Sequence, residues 1–243
     1  MHIEPPKVSL HSVKEFVSHY LMIVLSVLTA LGLEAFLEHL HHVHAAEAAQ
    51  EAIEAELQDN VAQVKAASNE NSVRLAPLKA LDAQLTAQVQ ARTPRDEIQM
   101  ELSALVRADK VELGLYVPTL RHEAWDVAVA NQAATWIDRA TLTRYASAYA
   151  QQREIDNASA SALLDGPRLI DAMTDARVQN VDPTSFLHAI NQAIVTLQAM
   201  QYRLDALQTT LLHALPADKA EAARQSVPRP MSPATGASMP ASS

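Results

Sequence analysis

Glu38, His41 and His42 are the residues whose types and spacing are best suited to chemistry. They lie in the run EHLHHVHAAE. On a helix, positions three and four apart share a face, so Glu38 faces both His41 and His42. Glu-x-x-His is how helical bundles present ligands to paired metals, but such a site draws several of these pairs from facing helices. His122, His188 and His213 are scattered, and none lies in a second Glu-x-x-His. A zinc protease would need His-Glu-x-x-His, which the chain lacks. The competing reading of Glu38, His41 and His42 is a polar collar at the headgroup level of a membrane. Histidines at that place also allow a pH-responsive stalk.

Trp125, Trp136, Tyr145 and Tyr149 form the second constellation, four of the ten aromatic residues within one short stretch. Tyr145 and Tyr149 are one helical turn apart and share a face. Such a set can line a ligand pocket between helices or supply large buried areas to an otherwise Ala-rich core. Nucleophilic catalysis has no support. The chain has no cysteine and no Gly-x-Ser-x-Gly motif, and that absence removes thiolate nucleophiles, Cys-ligated metals and the usual serine elbow. With only 4 glycines, a Gly-rich phosphate loop has almost no material. The net charge of −9 disfavours nucleic acid, whose binding rests on Lys/Arg clusters. A chain without a cofactor and without enzymatic activity is the resulting expectation.

The elements that must carry these residues begin with an apolar run. Residues 16–33 contain no formal charge, with Phe16, Tyr20, Leu21, Ile23, Leu25, Leu28, Leu31 and Leu33 setting its character. Eighteen helical residues rise about 27 Å, close to the bilayer core of about 30 Å. Phe36 and Leu37 extend the span to residues 16–37, which predicts a transmembrane helix with the lipid bilayer as partner. Its hydroxyls, on Ser26 and Thr29, can bond back to their own helix. Ser26 and Ala30 have the spacing that permits close helix contact. A cleaved signal peptide competes with an uncleaved anchor, and helix-forming sequence running straight on through Glu34 to Leu37 favours the anchor. Lys7 and Lys14 precede the span, and no Lys or Arg follows until Lys65. That asymmetry places the N-terminus in the cytoplasm and the bulk of the chain outside, in the periplasm of a Gram-negative cell.

Beyond the span, Phe36, Leu40, Val43, Ala46, Ala49, Ile53, Leu57, Val61 and Val64 recur every three or four residues. The spacing predicts one long helix to about Asn69, rising as a juxtamembrane stalk. Leu75, Leu78, Leu81, Leu85 and Val89 mark a second helix, stopped by Thr93-Pro94, where threonine caps and proline takes the first helical position of the next. Further helices hold Ile98 to Val106, then Trp125 to Val129 with Thr119 as cap, then Leu142 to Ile155. The last begins at Asp182-Pro183. Ile190, Leu197, Leu204 and Leu211 repeat every seven residues there, the seam of a coiled coil or of an antiparallel bundle helix. Residues 226–243 are rich in Pro, Ser and Ala and are expected to be disordered. The fold class is therefore all-α. Its expected parts are a cytoplasmic N-terminus (1–15), a transmembrane helix (16–37), a stalk helix (38–72), an antiparallel helical bundle (73–225) and a tail (226–243).

The N-terminal run resembles a family of uncharacterised bacterial single-pass inner-membrane proteins. Phe16, Tyr20, Leu21, Ile23, Val24, Leu25, Ala30, Leu31, Ile53, Glu56 and Asn60 stand where that family's pattern expects them. A fainter similarity continues at AWDVAVAN and LTRYASAYAQQ, anchored by Trp125 and Tyr145. The chain departs from the pattern in having no Arg in the juxtamembrane stretch. The resemblance implies an inner-membrane location and transfers no activity. The functional expectation is a non-enzymatic structural or interaction module of the cell envelope, binding another envelope protein or self-associating through its helices. The alternative is a ligand-binding or sensor module that uses the Trp/Tyr set. The fifteen residues before the span cannot form an output domain, so such a sensor would act through a partner.

Overall fold

The computed structural model describes residues 13–108, 111–112, 114–164, 166–178 and 182–226, with the backbone alone for residues 13–15, 163–164 and 166–170. Among the described residues there are seven α-helices and no strand. The tail expected over 226–243, apart from Ser226, and residues 1–12 lie outside the described residues.

The dominant element is α1 (Val13–Gln90), a single helix of 78 residues. At 1.5 Å per residue it extends about 117 Å. From residue 16 to residue 76 it contains no proline and one glycine, Gly32, so nothing in that stretch disfavours the helix strongly. The break expected after Asn69 is absent. The polar run Ser68 to Ser72 reads as a loop because such side chains compete for backbone groups. Here they are engaged in other ways: the Asn71 amide bonds a distant backbone segment, and the Ser72 hydroxyl donates to the Asn69 carbonyl of its own helix. Pro77 also sits inside α1. Proline has no N–H to give the Val73 carbonyl, but Val73 and Pro77 both lie on the exposed side, where water can satisfy that oxygen.

A turn with Arg92 in the left-handed region (φ 56) leads to α2 (Arg95–Arg107). Pro94 precedes the first helical residue rather than occupying it, and no side chain caps this helix. Residues 114–122 have no regular structure. Next come α3 (Glu123–Ala130), a 3₁₀ turn (Ala133–Trp136) and α4 (Arg139–Leu164). The residue before α3 is His122, not Thr119, and its side chain makes no capping bond. Asp138 caps α4 instead, accepting from the Ala140 and Thr141 amides. Then follow α5 (Gly166–Arg177), α6 (Pro183–Ala214) and a short α7 (Ala217–Gln225) that periodicity had not marked. Asp182 caps α6 as expected, accepting from the Ser185 amide at 2.9 Å, with Pro183 at the first helical position.

α6 runs antiparallel along α1. Asn191 donates to Asp82 and, ten residues on, Gln201 donates to Ser68. The seam of Ile190, Leu197, Leu204 and Leu211 is buried inside this chain, so the heptads serve intramolecular packing. The core has two parts. One gathers Leu78, Leu81 and Leu85 of α1 with α2, α5 and the first half of α6. The other gathers Ile53, Leu57, Val61 and Val64 with α4, the second half of α6 and α7. The stretch expected as a juxtamembrane stalk over 38–72 packs within the bundle from Ala46 onward.

Candidate functional site

Two clusters of polar side chains lie along α1, and the first is a buried clasp. Asn60 and Asn71 are fully buried on the stripe that Ile53, Leu57, Val64 and Ala67 define. Asn71 takes the Tyr116 backbone in two bonds, accepting from its N–H and donating to its carbonyl, both 2.8 Å. Asn60 does the same to Arg121, accepting at 2.9 Å and donating at 2.7 Å. Eleven helical residues rise about 16.5 Å, and five extended residues span about the same distance. The two asparagines therefore hold residues 116–121 as a strap running antiparallel to α1, meeting backbone groups that would otherwise lack partners.

One turn below Asn60, Glu56 accepts from the Ala124 amide at 2.9 Å and from the Tyr149 hydroxyl at 2.6 Å. Ala124 lies in the first turn of α3, where free amides and the helix dipole favour a carboxylate. Glu54 accepts from the Tyr145 hydroxyl at 2.7 Å and from Gln50 at 2.9 Å, and it pairs with Lys219 of α7 at 2.7 Å. Burial pushes the Glu54 carboxyl up. The bonds from Lys219, Gln50 and Tyr145 outweigh that and hold it below the ordinary glutamate value. The same pairing raises Lys219. Burial first, and then the bonds to Glu54 and Glu56, push both tyrosine hydroxyls well above the ordinary value. They remain donors throughout the physiological range. The clasp ties α3, α4 and α7 to α1, with Glu54 and Glu56 flanking its apolar stripe from opposite sides.

The second cluster is the collar. Trp136 stacks on His42 with ring centroids 4.5 Å apart and planes 7° from parallel, and it meets His39 edge-on at 5.6 Å. His42 Nε2 lies 3.7 Å from Glu38 Oε1. Glu38, His41 and His42 share an open face of α1 with Ala30, Leu33, Glu34 and Leu37. Glu38 and His42 thus come together, His41 does not join them, and the indole covers one face of the His42 ring. Among the described residues no group of three or more His, Asp or Glu converges on one point.

The aromatic set divides. Trp125 stacks on Tyr149 at 5.2 Å, Tyr145 and Tyr149 are buried against the acids of α1, and Trp136 stands apart in the collar. All eight named residues of the apolar run, from Phe16 to Leu33, are exposed. The 18-residue apolar window has a mean hydropathy of 2.1, and none of it is buried. Ser26 and Thr29 donate to the Met22 and Leu25 carbonyls, as expected.

Glu54, Glu56, Asn60, Asn71 and Lys219 were not visible as a site in the sequence. Glu54 and Glu56 read as part of a solvated acidic face. A signal existed in Asn60 and Asn71, because both occupy positions where the stripe calls for apolar residues.

Comparison with protein-family models, curated proteins and solved structures finds no match to this chain.

Proposed function

We propose that this chain is a single-pass membrane protein in which α1 is both the anchor and the central helix of a bundle held outside the membrane. The observation that carries the reading is the contrast along one helix. Among the described residues, its apolar residues from 16 to 37 are all exposed except Val24, whereas from Ala46 onward its apolar stripe is buried. A water-exposed helix of that hydropathy and length is costly, and insertion in a bilayer removes the cost. The lysine asymmetry supports an N-terminus inside and the bundle outside. Four of the residues that carry the resemblance to the inner-membrane family, Glu56, Asn60, Trp125 and Tyr145, fall in the clasp or on its edge, and eight others lie in the apolar run.

The role is a non-enzymatic one: to hold a rigid helical surface at a set height above the bilayer for another envelope protein or a second copy of this chain. Both clusters on α1 are occupied by the chain's own groups, which favours a structural role. No observation favours the ligand-binding alternative, since Trp125, Tyr145 and Tyr149 are engaged with one another and with Glu54 and Glu56. The test is alkaline carbonate washing of membranes from cells expressing the chain with a C-terminal tag. Full-length protein in the pellet is expected. A shortened, soluble product would identify a cleaved signal peptide and overturn the anchor.

A further inference from the structure

The chain from residue 116 to residue 136 descends along α1. Tyr116 is held at Asn71, Arg121 at Asn60, Ala124 at Glu56, and Trp136 at His42 and His39. The turn that follows, Ile137 to Arg139, starts α4 back upward, where Tyr145 meets Glu54. The 3₁₀ turn is therefore a tip of the bundle, directed toward the apolar half of α1. Its level is set by stacking on α1 itself. Five helical residues separate Leu37 from His42, a rise of about 7.5 Å. The interfacial layer on each side of a bilayer core is about 5–8 Å thick.

Resting on the anchored reading above, we infer that this tip is a second membrane contact, with Trp136 and Arg139 seated in the headgroup layer of the bilayer that α1 crosses. Two further observations favour lipid as the occupant. Trp136 is half-exposed at 44% although it lies against α1, and tryptophan prefers the interface, with its ring in apolar contact and its N–H toward water. In addition, α1 offers no Lys or Arg between Lys14 and Lys65. The tip brings an exposed guanidinium, Arg139, to that level, suited to lipid phosphate. The cation and the tryptophan that the juxtamembrane sequence lacks are thus supplied from about a hundred residues away.

The test uses the full chain with Trp125→Phe, which leaves Trp136 as the single tryptophan, reconstituted in phosphatidylcholine/phosphatidylglycerol vesicles. Trp136 fluorescence is quenched by lipids brominated near the top of the acyl chain, and its quenching by aqueous acrylamide falls at least about twofold relative to the protein in water-accessible form. Protein that floats with vesicles while Trp136 stays open to acrylamide and blind to brominated lipid overturns the tip contact and leaves the anchor standing. Protection from acrylamide without lipid quenching also overturns it, because another protein or a second copy then covers the tip. Failure to float with vesicles takes down both readings. A nitroxide at Thr135→Cys, in a chain that otherwise has no cysteine and keeps both tryptophans, gives the same decision should Trp125→Phe not fold. Relaxation by lipid-dissolved oxygen supports the contact, and relaxation by a water-soluble nickel chelate overturns it.

Discussion

The two halves of α1 form one unbroken helix, yet they meet opposite surroundings. Residues 16–33 carry apolar side chains around the whole circumference, and their large ones stay almost all exposed among the described residues. Residues 46–90 gather most of their large apolar side chains, Val73 and Val89 excepted, on one stripe buried against α2, α4 and α6. The acids differ too: Glu34 and Glu38 are exposed, whereas Glu54 and Glu56 are 4% exposed and fully partnered. Helix formation alone thus decides neither half's role. What differs is whether the apolar surface is a ring or a stripe, since a stripe can be covered by neighbouring helices and a ring needs an apolar solvent.

The widest separation between the halves should come from matched truncations. Leu57→Ala removes a fully buried side chain and is expected to cost about 2–5 kcal/mol, whereas Leu28→Ala, at an exposed position, leaves the bundle's stability within about 0.5 kcal/mol. Thermal unfolding of the detergent-solubilised chain followed by circular dichroism reads both; equal losses would erase the distinction. Asn60→Ala comes next. It removes both bonds to the Arg121 backbone, which is partly open to solvent, and empties a fully buried position, at about 1–3 kcal/mol. Hydrogen exchange at the Arg121 amide should accelerate with it, and an unchanged rate would mean that Asn60 does not hold the strap.

A smaller effect, about 1 kcal/mol, is expected for Lys219→Met, because the lysine is partly open to solvent. Its signature is the pH dependence. Glu54 is held below its ordinary value of 4.5, so its stabilising contribution is present above that pH and is lost as pH falls through the depressed value. Without Lys219 the opposing effect of burial gains weight, and acid unfolding should begin at a higher pH. An acid limb that superimposes on the native one would remove the bridge from the clasp. Lys219 is itself raised from 10.5, so its share is present below that pH and fades as pH rises through the higher value. The smallest change is expected for Trp136→Ala, under about 1 kcal/mol of bundle stability for a half-exposed stacked ring. A loss as large as that of Leu57→Ala would make the collar a part of the core.

Much of the architecture was legible in the sequence because it depends on local patterning. The Asp182-Pro183 start of α6, its heptad seam and the apolar run all follow from neighbours a few residues apart. The boundary near Asn69 was not legible. A polar run followed by Pro77 ends a helix in isolation, yet α1 continues because Asn71 and Ser68 find partners that only the folded chain provides. The pairing of Glu54 with Tyr145 and of Glu56 with Tyr149, across 91 and 93 residues, has no local trace at all. The aromatic set was visible as a cluster in sequence, but a helix reversal at residues 137–139 sends Trp136 to His42 and the tyrosines to the acids.

The sequence by itself determined the helical class, the absence of thiol chemistry and a segment whose all-round apolar surface calls for a non-aqueous partner. These follow from composition and from periodicities of 3.6 and 7. The tertiary structure alone decided that the stalk is a core helix from Ala46, that two asparagines hold a strap, and that a tryptophan stands beside the histidines of the collar. Each of those outcomes is a pairing of groups distant along the chain. Such pairings are selected by where burial leaves a polar group or ring without water, which no short window of sequence encodes.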